Sequence, residues 1–117
     1  MPRTALTVQE VEPNANEAIT FAAMDQANGM KFLNDGRTIL VAKNGDASAH
    51  QLTVVSKGDP VFGRTGNLVK SIPAGGEEIV GFLNPAGWNQ VSGVDAGNVQ
   101  VDVDDDTSMT IAVLRLK

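Results

Sequence analysis

The chain has 117 residues, 42% of them apolar and 20% charged, with a formal net charge of −5 and no cysteine. That size suits one hydrophobic core rather than two. The acid excess excludes a phosphate-neutralising stripe and with it a nucleic-acid partner, and the lack of thiols excludes disulfides and thiolate metal centres.

Burial must rest on Val, Ile, Leu and Ala, since the chain holds no tyrosine, one tryptophan and four phenylalanines; the first two prefer strands. Met1-Pro2-Arg3-Thr4 lacks the apolar stretch of a leader, and no later segment approaches the roughly eighteen apolar residues of a membrane span. Neither a secretion signal nor a membrane partner is expected, so a role outside a cell would require lysis or carriage on a particle.

Residues 1–16 alternate weakly through Leu6, Val8 and Val11 before the turn cluster Pro13-Asn14-Ala15-Asn16. They read as an extended N-terminal arm ahead of one β-domain over residues 17–117. Ala18–Met24 reads as a strand, with a short helix as the alternative because its alanines blur the period. Asn28-Gly29 and Asn34-Asp35-Gly36 are turn signals on either side of Met30–Leu33. Thr38–Lys43, nearly continuous and β-branched, is the clearest buried strand.

Gln51–Ser56 is the next strand, and residues 57–67, with three glycines and a proline, read as a loop. Leu68–Ile72 leads into the turn Pro73-Ala74-Gly75-Gly76, then Glu77–Leu83 forms a strand and Asn84–Asn89 a loop presenting Trp88. Asn98–Val103 alternates through its valines. Met109–Leu116 alternates through Ile111 and Val113 and, after a skip, Leu114 and Leu116. About eight short antiparallel strands and no sustained helical stripe point to an all-β sandwich, with a jelly roll and an immunoglobulin-like sandwich both compatible with the count.

Gly58–Thr65 imitates a phosphate-binding loop with arginine in place of its lysine. Gly66-Asn67 and then Pro73 leave no room for the helix whose amides such a loop needs, so a β-connection is expected. Asp102, Asp104, Asp105 and Asp106 could gather oxygens around calcium. A standard loop beginning at Asp102 would need glycine and glutamate where Thr107 and Val113 stand, and a solvated hairpin turn fits better.

His50 is the single histidine, which excludes a multi-histidine metal site, and no serine lies in a nucleophile-elbow context. Adjacent Glu77 and Glu78 point to opposite faces of a strand and cannot straddle one substrate atom. No catalytic residue, metal ligand or cofactor is expected, and the chain does not read as an enzyme. Trp88 reads either as a core anchor or as an exposed aromatic that docks on a partner or stacks on a sugar.

The run Phe32–Gly45, then Ile72–Gly76, then Trp88-Asn89-Gln90 and the closing Thr110–Leu116 resemble small virion proteins of tailed bacteriophages, namely capsid decoration or cement proteins with a β-sandwich fold. The resemblance covers about residues 18–116 and carries no active-site residues. It implies a jelly-roll-like protein made in the host cytoplasm and placed on the outer capsid surface, often as a trimer, bound to the major capsid protein. Leu6, Val8 and Val11 of the arm with Trp88, Asn89 and Gln90 are then the candidate interface. The arm would add a strand to an adjacent subunit or fold onto its own domain. The alternative is a carbohydrate- or receptor-binding module of a tail or head fibre, using Trp88 with Asn84, Asn89 and Gln90.

Overall fold

The structure, a computed structural model, describes residues 3–11, 18–55, 66–81, 83, 85–90 and 95–116. Among the described residues ten strands follow in chain order: β1 (Thr4–Ala5), β2 (Val8–Val11), β3 (Ala22–Ala23), β4 (Met30–Leu33), β5 (Thr38–Asn44), β6 (His50–Val54), β7 (Leu68–Ile72), β8 (Glu77–Val80), β9 (Asn98–Val103) and β10 (Met109–Leu116). A single helical turn, α1 (Pro85–Trp88), precedes β9. Gly29, Gly36 and Gly75, in three of the turns expected from the sequence, all take positive φ, a conformation that costs glycine little.

The strands form two layers. One sheet runs β1-β4-β9-β6-β7; the other runs β2-β10-β5-β8, with β3 also beside β10. Its long central pair registers Val113 with Leu40 and Ile111 with Ala42. On the facing sheet Phe32 lies opposite Val99, and Val54 lies opposite both Val101 and Leu68. Alternate residues of each strand point between the layers. Met30, Phe32, Leu40, Leu52, Val54, Ile72, Val99, Val101, Met109, Ile111 and Val113 are thereby sealed into one core.

Two buried asparagines hold the ends of the sandwich, each satisfying carbonyls that would otherwise lose water without a partner. Asn44 donates to Ser48 O at 2.8 Å and Ile72 O at 3.0 Å. At the other end Asn34 Nδ2 donates to Leu83 O and to Asn89 Oδ1, and Asn89 Nδ2 donates back to Asn34 O. This reciprocal amide pair fastens α1 to the end of β4.

The fold is all-β, as expected, with differences in detail. The pairings are mixed rather than wholly antiparallel, because β1 runs parallel to β4 and β2 parallel to β10. Ala18–Met24 contributes only the two residues of β3. The expected loop around Trp88 is the turn of helix α1, and the strand from Glu77 stops at Val80. β10 has no skip: its register against β5 is continuous from Met109 to Arg115, and both faces of the strand are apolar. The turn at Pro13–Asn16 and the loop at Gly58–Thr65 lie outside the described residues.

Candidate interaction surfaces

The arm folds onto its own domain over residues 3–11, closing the side of the sandwich between β4 and β10. It leaves one sheet and enters the other: Thr4 N donates to Gly29 O and Leu6 N to Lys31 O, and then Val8–Val11 register with Val113–Leu116. Leu6 points into the core at 9% exposure, and Val8 packs on it half-buried. Polar clamps hold both ends of the arm. Arg3 reaches Asp102 at 2.7 Å and the carbonyls of Met30 and Val101. Arg115 bridges Asp35 at 2.7 Å and Glu10 at 3.2 Å.

Gly29 admits the first clamp. A side chain there would place its Cβ 2.5 Å from Arg3 Nη1, at a φ of +74°. Packing along the arm is open. A cavity of about 330 Å³ lies between Leu6 and Gln9 on one side and Ala22, Ile111 and Val113 on the other. Another of about 460 Å³ separates Ala5, Leu6 and Val8 from Phe32 and Leu33.

The other expected interface residues serve the fold. Trp88 packs half-buried against the core. The Asn89 side chain is committed to Asn34 O, Asn34 Nδ2 and Gly97 O. The Gln90 backbone holds Asn98 O and the Gly97 amide at 2.8 Å each. The partners of these residues lie near the arm, for Asn34 and Gly97 line one hollow with Val8 and Glu10, while Val11 is exposed beside Leu116. Asn84 lies outside the described residues.

Titratable groups are tied into turns. His50 is buried, and its Nε2 lies 2.9 Å from Asp46 Oδ2. The Ala47 amide first and His50 second hold the Asp46 carboxyl below the usual carboxylate range. The Thr107 backbone and hydroxyl do the same for Asp105, Arg115 for Asp35, and Lys31 with Gln100 for Asp95. In the acidic turn Asp104 accepts from the Gln51 amide and Asp106 from the Gln26 amide. Among the described residues no three His, Cys, Asp or Glu side chains converge on a metal-sized site, and no helix is long and apolar enough to cross a membrane.

The two outer faces of the sandwich differ. The face of the β9-containing sheet presents Lys31, Gln100, Asp102, Gln51, Thr53 and Ser71, with Leu33 and Val69 as apolar exceptions. The opposite face is apolar. Register sets Val11 beside Leu116, Leu114 beside Ile39, and Ala112, Val41 and Ile79 in one row. Phe21 covers part of this face, packing on Val41, Ala112 and Leu114 with the Lys43 ammonium 4.8 Å from its ring centre. Ile79 remains 63% exposed.

That face is the candidate interaction surface the sequence reading missed. Its signal was the unbroken apolar run of β5 and β10, too apolar for a sheet with one wet side. Comparison of the chain with protein-family models, with curated proteins and with solved structures finds no match.

Proposed function

We propose that the chain is a jelly-roll structural protein of a tailed-phage particle, a decoration protein that sits on the outer capsid surface and braces the major capsid protein. Strand order carries the reading. With β3–β10 numbered one to eight, the observed neighbours run 1-8-3-6 in one sheet and 2-7-4-5 in the other. Two nested Greek keys folded into a jelly roll generate that order, and viral shells and lectins both use the architecture.

Fold alone does not choose between shell protein and lectin. The state of the sugar-binding candidates favours the shell: Trp88 packs against the core and Asn89 is spent on Asn34, which leaves little of the convergent polar platform a saccharide needs. A decoration protein works by buried surface, and a ligand that binds only the assembled lattice stabilises it by mass action.

The experiment is co-sedimentation of the full chain with empty shells of the particle whose genome encodes it, before and after shell expansion. Saturable binding and a raised shell disruption temperature are expected. An intact protein that binds neither form would refute the proposal.

A further inference from the structure

We infer that the apolar outer face of the sheet built from β2, β10, β5 and β8 joins two copies of this chain about a two-fold axis. The inference does not rest on the capsid reading. Three observations carry it, beginning with area. The uncovered parts of Val11, Ile79 and Leu116 amount to roughly 260 Å² of surface, near the lower end of the roughly 300–600 Å² of the largest patch on an ordinary monomer. Phe21 and Ile39 add to it. A standard contact buries about 800 Å² per partner, a little over half of it apolar, or roughly 450 Å². The patch therefore supplies more than half of the apolar share of one side of such a contact.

Charge selects the occupant. At −5 the chain repels its own copies over most approaches. On this face the charged outward side chains among the described strand residues are Lys43 and Glu77, which sum to zero and lie 3.4 Å apart. A two-fold contact is self-complementary by necessity, since each patch meets itself. Neighbouring residues of opposite sign meet that requirement, because an axis passing beside the pair brings Glu77 of one copy toward Lys43 of the other.

Shape agrees with area and charge. Four strands with outward Leu, Ile and Val side chains offer the kind of surface that packs against another sheet at about 10 Å. Phe21 lies on the central strands against Val41, Ala112 and Leu114 and so forms part of the contacting surface, its segment held to β2 by Gln9 through Ala18 O and the Thr20 amide.

Sedimentation velocity of the full chain over a concentration series tests this, with Ile79→Asp on the face and Val69→Asp as the comparison. Val69 is 55% exposed on the polar sheet. The wild type is expected to form dimers, distinct from the trimer implied by the phage resemblance. Ile79→Asp should raise the dissociation constant by about 100-fold or more, as an unpaired carboxylate in an apolar contact does. Val69→Asp should change it by less than about twofold. Circular dichroism checks that each variant is folded, and Leu116→Asp replaces Ile79→Asp if the latter is not.

A wild type that stays monomeric at about 1 mM, or two variants with equal effects, overturns the inference. A monomer whose capsid binding is lost in Ile79→Asp assigns the face to the capsid instead, overturning the self-contact while leaving the decoration reading standing. A dimer that ignores capsids does the reverse.

Discussion

Leu6 tests how the arm is held. Replacing it with alanine removes three carbon atoms, a transfer cost of about 2.4 kcal/mol at about 0.8 kcal/mol per carbon group. In a tight core the residual cavity would add to that and carry the loss toward about 5 kcal/mol. Leu6 differs from such a site because it already borders the cavities of about 330 and 460 Å³. Its removal enlarges spaces that reach solvent, so the cavity contribution is small and a loss of about 2–3 kcal/mol is expected. Leu52, fully buried between the layers, has no such relief, and Leu52→Ala should cost about 3–5 kcal/mol.

Urea denaturation of both variants measures the difference. Hydrogen exchange locates it: in Leu6→Ala the amides of residues 4–11 should lose protection while those of β5 and β9 keep theirs relative to global stability. Equal losses in the two variants, or uniform loss of protection in Leu6→Ala, would refute an arm docked through one apolar anchor.

Two further outcomes follow from polar groups. Thr38 is buried with a hydroxyl that has no partner among the described residues, so Thr38→Val should raise stability by about 1 kcal/mol, seen as a higher urea midpoint. Hydrogen bonds and neighbouring cations hold Asp25, Asp35, Asp46, Asp95 and Asp105 below the usual carboxylate range in the folded state. The folded state thus binds fewer protons than the unfolded one. Their stabilisation is complete above about pH 5 and is lost as pH falls below about 4 through the folded values. The urea midpoint should therefore be flat from neutral to mildly acid pH and fall below that, less steeply in high salt; a midpoint that rises on acidification would contradict the assignments.

Much of the sheet framework was legible in the sequence because the relevant signals are local. The valines of β9 alternate, β5 is β-branched between two turns, and Gly29, Gly36 and Gly75 stand where positive φ is required. The arm's destination was not legible. A four-residue strand such as β2 carries too little pattern to name a partner more than a hundred positions away in register.

Alternation also misled at β10. Two apolar faces look like a skipped residue when one face is assumed to be wet, and the covering group, Phe21, is distant in sequence. Asn34 in Leu33-Asn34-Asp35 and Asn89 in Trp88-Asn89-Gln90 are 55 positions apart, so nothing local separates a mutually bonded amide pair from a ligand-binding one. Of the proposed interface residues, Val11 lies on the apolar face, whereas Leu6 and Trp88 pack inward.

The pairing of residues 8–11 with 113–116 has a consequence for biosynthesis. Translation at roughly 5–20 residues per second leaves β2 without its neighbour for roughly 5–20 s while the intervening strands emerge. The nascent chain can pair β6 with β7 and β5 with β8 beforehand, but β4 waits for β9 and the layer centred on β10 assembles only once β10 itself has emerged. Such late, long-range closure slows folding, and during the wait the uncovered edge of the growing sandwich is where a chaperone would have most to protect.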